Sequence, residues 1–168
     1  MNETLYFAYG SNMDLYQMNY RCPSSEVIGK ATLNDYKLAF RGHGFATVLP
    51  SPGDAVQGVL WRLTPEDERR LDFYEGYPRH YEKETVTVYA ADGTSQEVMV
   101  YTMAAPLKDR ITPPSPPYLE GILRGCEQNG IDPAAVEQAA REPCPSALMK
   151  SAKPPHRMDS LSRNRSTP

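Results

Sequence analysis

The chain reads as an α+β domain: a small mixed β-barrel, or a strongly curled sheet, flanked by helices. Three observations carry this reading. Apolar residues alternate with polar ones in several short stretches between Leu5 and Met103, the period of half-buried strands. Helical spacing with clear start and stop residues is confined to a few segments, mostly toward the ends of that run. The composition, 40% hydrophobic and 23% charged over 168 residues, is that of one soluble globular domain with a real core.

In chain order, Leu5, Phe7 and Tyr9 mark a first strand that stops at Gly10-Ser11-Asn12. The following MDLYQMNY reads as a short helix capped by Asn12, and Cys22-Pro23 ends it. Strand, glycine turn and helix start form a geometry in which backbone N–H groups and a helix dipole converge on an oxyanion or carboxylate. Gly-Ser-Asn is also ordinary turn composition, so the turn by itself leaves both readings open. Val27 to Phe40 reads as extended, broken near Asn34-Asp35. After the loop RGHG come a short strand around Phe45 to Leu49, a turn from Pro50 to Asp54 and a strand from Val56 to Leu63 that carries the only Trp, Trp61.

Thr64-Pro65-Glu66-Asp67 is a helix start, with a Thr cap, Pro at the first helical position and acids in the first turn. That helix stops at Gly76, which leaves Glu75 in or beside its last turn. Glu82 to Ala90 and Gln96 to Met103 read as a hairpin around Asp92-Gly93. Pro106 to Pro117 is a proline-rich crossover. From Ser115 and Pro116 a helix begins whose Leu119, Ile122, Leu123 and Cys126 share one face, and Asn129-Gly130 ends it. Asp132-Pro133 caps a last helix through Arg141, with Ile131 and Val136 spaced as a hydrophobic staple. Residues 1–150 are read as the single domain and 151–168, polar and basic, as a flexible tail.

Several functions are disfavoured by what the chain carries. A net charge of -3 with no basic patch before the tail argues against a nucleic-acid partner. No apolar run approaches a membrane span and no signal peptide is visible, so a cytoplasmic location is expected. Cys22, Cys126 and Cys144 are scattered and odd in number, which suits neither a disulfide framework nor a metal spacing; neither a metal nor another cofactor is expected. There is no GxSxG, GxxxxGK[ST] or HExxH. His43, His80 and His156 stand apart from one another, as solvated loop residues do, and a Ser11 nucleophile would need His43 or His80 as a base with no local support. Arg41 reads as a solvated arginine, with contact to a substrate carboxylate as the alternative. Carboxylate chemistry is left. Glu75, at a helix C-terminus and beside Phe73, Tyr74 and Tyr77, is the best-placed acid, because the dipole and an apolar setting both raise a carboxyl pKa. A solvated glutamate before a capping glycine is the alternative. The chain also carries 11 Tyr against 4 Phe, an excess suited to half-buried rings or a polar-tipped pocket.

Four segments, YFAYGSNM, RGHGFATVLPSPGDAVQGVLWRL, LDFYEGYPRHYEK and PPSPPYLEGILRGCEQNGI, resemble in order and spacing those of the γ-glutamylcyclotransferase-like family. The resemblance covers Leu5 to Ile131 and is nearer to the γ-glutamylcyclotransferase and γ-glutamylamine cyclotransferase branches than to the glutathione-specific one. It implies a curled sheet or barrel flanked by helices and release of 5-oxoproline from a small-molecule γ-glutamyl substrate. Position by position, it implies that Tyr9, Gly10, Ser11 and Asn12 grip the γ-glutamyl group and that Glu75 is the general acid–base. Tyr81, Tyr101 and Tyr118 would surround the pocket. Pro78-Arg79-His80 depart from the pattern just before Tyr81.

Such a substrate carries its own nucleophile, the α-amine, so no enzymic Ser, Cys or cofactor is required. Two rivals stand beside this reading: an acidic-ligand-binding domain of the same fold, and an amidohydrolase using Ser11. The leaving amine or amino acid, and whether the chain is a monomer or a homodimer, are left open.

Overall fold

The computed structural model describes residues 2–144. Five strands form a closed barrel in the order β1-β3-β2-β4-β5: β1 Thr4–Ala8, β2 Glu26–Arg41, β3 Phe45–Leu63, β4 Tyr81–Ala90 and β5 Ser95–Met103. All neighbours are antiparallel except β1 and β5, which close the barrel in parallel at Tyr6 and Met99. Closure leaves no free sheet edge. The buried faces meet in a core that includes Phe7, Leu33, Val48, Val59, Leu63, Val88 and Val100. Trp61 and Cys126 are buried within it. Among the described residues, no helix is long and apolar enough to cross a membrane.

Two expected breaks belong to continuous strands. β2 runs unbroken through Asn34-Asp35, and the expected Pro50–Asp54 turn lies inside β3. The pairing explains both. Asn34 faces Ala55 while Tyr36 faces Pro50, so Ser51 to Asp54 form an excursion from one long ribbon. Asp35 meets it as a bulge with positive φ and accepts a hydrogen bond from the Gly53 amide at 3.0 Å. Turn residues here bend a strand without ending it.

The helices α1 Leu15–Arg21, α2 Pro65–Glu75, α3 Pro116–Asn129 and α4 Ala134–Ala140 lie around the barrel. Thr64 and Gly76 bound α2 as expected: the Thr64 hydroxyl accepts from the Asp67 amide, and Gly76 adopts the left-handed conformation. The Asp92-Gly93 turn joins β4 to β5. Along α3, Ile122 and Cys126 are buried and Leu119 and Leu123 pack against the same core. Asp132 accepts from the Ala134 amide at the start of α4, with Ile131 and Val136 buried beneath.

Asn12 does not cap α1. It lies in a 3-10 turn, Ser11–Met13, and the cap is Asp14, whose carboxylate accepts from the Tyr16 amide at 3.1 Å. The α1 donors are therefore spent away from the glycine turn, because the Leu15 amide is also taken, by Gln128. That removes the expected contribution of a helix dipole. The turn is instead clasped by α3. Arg124 pairs with the fully buried Asp14, and Asn129 donates to the Met13 carbonyl at 2.9 Å. A Cβ on Gly125 would stand 2.8 Å from the Asp14 nitrogen and Met13, so only glycine permits this approach. The tail 151–168 and the end of the expected domain lie outside the described residues.

Candidate active site

A cavity of about 490 Å³ opens where the end of β1, the 3-10 turn, the C-terminus of α2 and the start of α3 meet. Every residue that the family resemblance assigns to the site lines it: Tyr9, Gly10, Ser11, Asn12, Glu75, Tyr81, Tyr101 and Tyr118. Residues more than sixty positions apart are brought together because β1 ends at the rim where α2 ends. Gly76 stops α2 one residue after the carboxylate.

Glu75 Oε1 accepts a hydrogen bond from Asn12 Nδ2 at 3.0 Å. The second N–H of the same amide serves the Tyr6 hydroxyl at 2.9 Å. Asn12 Oδ1 accepts from Arg21 Nη1 at 2.7 Å, and the Asn12 carbonyl accepts from Trp61 Nε1 at 3.0 Å. Burial pushes the Glu75 carboxyl up to about 7, against the Asn12 hydrogen bond and the Arg21 charge, which both pull it down. The residue is half-buried, open to the cavity on one side. Of the three neighbours expected to screen it, Phe73 and Tyr74 line the cavity although both are exposed, and Tyr77 does not line it.

The tyrosines are committed in different ways. Tyr9 donates to the Tyr101 carbonyl at 2.6 Å and Tyr81 to the Ala46 carbonyl at 2.7 Å. The Tyr101 hydroxyl binds Asp72, outside the cavity, so its ring is what faces in. Tyr118 accepts from the Ala46 amide at 3.0 Å, which leaves its own proton available to a ligand. Burial raises the Tyr6, Tyr9, Tyr81, Tyr101 and Tyr118 hydroxyls above the ordinary tyrosine value, so all five are neutral donors or acceptors. Pro78-Arg79-His80 do not displace Tyr81, which is buried at the start of β4.

Backbone donors are also present. The amides of Gly10, Ser11 and Asn12 make no hydrogen bond among the described residues, while those of Met13 and Asp14 close the 3-10 turn. A grouping of three unused amides at a cavity wall suits an oxyanion or carboxylate. Among the described residues no cluster of His, Cys, Asp or Glu could hold a metal ion.

Sequence reasoning missed two site residues and misread others. Tyr6 lies within the quoted segment but alternates like a strand residue, and Arg21 comes in from the end of α1 with no local pattern to mark it. His43 and His80 are exposed as expected, yet both line the mouth of the cavity. Arg41 is neither solvated nor in the site: it is buried and paired with Glu142 at 2.7 Å.

Comparison with known proteins points the same way as this geometry. The γ-glutamylcyclotransferase of Bos taurus is 35% identical over 138 residues, covering 76% of this chain and 72% of that protein. The Mus musculus γ-glutamylcyclotransferase is 36% identical over the same shares. A solved γ-glutamyl cyclotransferase superposes with a TM-score of 0.72 at 29% identity, covering 96% of this chain and 94% of that one. Residues 6–120, which hold the glycine turn, Glu75 and Tyr118, match the family described as γ-glutamyl cyclotransferase, AIG2-like, and the chain belongs to that family of enzymes.

Proposed function

We propose that the chain releases 5-oxoproline from a γ-glutamyl amino acid or γ-glutamyl amine, with Glu75 as the general acid–base. The observation that carries this is the placement of one desolvated carboxylate 3.0 Å from Asn12, at the wall formed by the Gly10–Asn12 turn. A carboxyl held at about 7 is suited both to accept and to return a proton near neutral pH.

In this mechanism the γ-glutamyl group lies against the turn. Glu75 takes a proton from the α-ammonium, and the freed amine attacks the γ-carbonyl carbon, forming the new C–N bond of a five-membered ring. The oxyanion is met by amides among Gly10, Ser11 and Asn12; one such donor is worth about 3 kcal/mol in known oxyanion holes. Glu75 then passes its proton to the leaving nitrogen as the original C–N bond breaks, while the ring nitrogen gives up its second proton to solvent, from which the released amine takes one up. The products are 5-oxoproline and a free amine or amino acid, and Glu75 ends as it began.

The Ser11 hydrolase reading is disfavoured by one contact. The Ser11 hydroxyl accepts from Arg21 at 2.9 Å, and a guanidinium cannot act as a base. A pure binding role gives no reason to set a desolvated acid against an acidic ligand. Incubation with a panel of γ-glutamyl amino acids and amines, followed by mass spectrometry, separates the three. 5-Oxoproline is the expected product. Free glutamate would replace this reading with hydrolysis, and no product from any member would replace it with binding.

A further inference from the structure

Arg21, which no sequence signal marks, binds two of the site residues at once. Its Nη1 donates to both Ser11 Oγ at 2.9 Å and Asn12 Oδ1 at 2.7 Å, and its Nη2 donates to Gln17. The guanidinium carbon lies 3.9 Å from the centre of the Tyr74 ring. Stacking on one side and a forked set of donors on the other hold the planar group in one pose.

The consequence falls on Asn12. A side-chain amide can turn over and exchange its oxygen and nitrogen, and only its partners decide which way it faces. With Arg21 on Oδ1, both N–H groups must point to Tyr6 and Glu75. Without Arg21, the flipped amide would set its oxygen against the Glu75 carboxylate. We propose that Arg21 is a positioning residue for Glu75: it locks the Asn12 amide so that a donor is always presented to the acid–base carboxylate. It need not touch the substrate to do this.

The inference rests on Glu75 as the acid–base group, and it predicts an effect on proton affinity beyond simple loss of fold. Other groups facing Glu75 are Tyr6 on β1, Tyr9 just after it, Cys22 after α1, Tyr81 on β4, Tyr101 on β5 and Tyr118 on α3. The tyrosines are raised and Cys22 is pushed up to about 12, so all stay neutral near pH 7. His43 and His80 line the same cavity and are identical in every variant compared.

The test is the pH dependence of kcat/KM for 5-oxoproline release by the wild type, Arg21→Ala and Arg21→Lys. In Arg21→Ala the midpoint of the acid limb moves up by about one pH unit, the equivalent of one hydrogen bond to a charged group. Arg21→Lys keeps the charge but not the fork, so it moves the midpoint by less, and kcat falls in both variants more than KM rises. A uniform loss at every pH with an unmoved midpoint would overturn the proposal, because a merely structural residue behaves that way. A second measurement does not depend on turnover. The Glu75 carboxyl is titrated by carbon NMR in glutamate-labelled protein, and its midpoint rises in the variant. If no 5-oxoproline forms but this titration moves in Arg21→Lys as well as in Arg21→Ala, the reaction reading fails and the positioning role stands. If it moves only in Arg21→Ala, the lost charge accounts for it and the positioning role fails, as it does if neither moves. Where Arg21→Ala does not fold, Arg21→Met, which keeps an apolar stem against Tyr74 but donates to neither oxygen, carries the same test.

Discussion

Keeping a carboxylate in this cavity has a cost in stability, and Glu75→Gln exposes it. Glutamine has the same shape and its oxygen still accepts from Asn12, so packing and the main hydrogen bond are retained. The folded protein holds the Glu75 carboxyl at about 7 against an ordinary 4.5. At about 1.4 kcal/mol per pH unit, that difference withholds about 3 kcal/mol from the wild type once the group is ionised in both states. The half-buried side chain is open to the cavity, and screening lowers the expected value to about 1–3 kcal/mol. The sign follows from which state holds the proton. Well below 4.5 both states are protonated and the cost is absent. Between 4.5 and about 7 the unfolded chain ionises while the folded one does not, so the wild type loses stability as the pH rises. Urea denaturation of both proteins at about pH 4 and about pH 8 reads this directly. The stability of Glu75→Gln relative to wild type should rise by about 1–3 kcal/mol between the two. An unchanged difference, or a fall, would refute the claim that the cavity raises the proton affinity of Glu75.

Two further outcomes follow from the same geometry. Ser11→Ala should retain turnover within about tenfold, since its hydroxyl shapes the turn and accepts from Arg21; steady-state kinetics check this, and a loss of about a thousandfold or more would restore the nucleophile reading. Gly125→Ala should destabilise the fold by about 1–3 kcal/mol in urea melts, because its Cβ meets Met13 and the Asp14 nitrogen at 2.8 Å.

What the sequence made legible is the part written in local chemistry. Thr64-Pro65 and Gly76 bound α2 because caps and left-handed glycines are decided by the nearest few residues, and Glu75 is positioned by them. The Asp92-Gly93 turn and the apolar spacing of Ile122 and Cys126 are local in the same sense. Misreadings occurred where a distant partner decides. Pro50 to Asp54 have turn composition, yet β2 holds them inside a strand through the Asp35 bulge. Asn12 and Asp14 are equally good capping types. Asp14 takes the role because α3 brings Arg124 to it, while Asn12 is drawn to Glu75, Tyr6 and Arg21. Arg41 looks like a surface residue until Glu142, about a hundred positions later, is placed against it. The site residues found early belong to quoted segments of the family. Arg21 was invisible because its role lies in three partners on one side and a ring on the other.

The most direct measurement is the rate of 5-oxoproline formation by folded Glu75→Gln, on whichever γ-glutamyl compound the wild type turns over best. If Glu75 moves the protons, the rate falls at least about 100-fold while KM stays within a few-fold of wild type. A variant that forms 5-oxoproline at near the wild-type rate would contradict the mechanism.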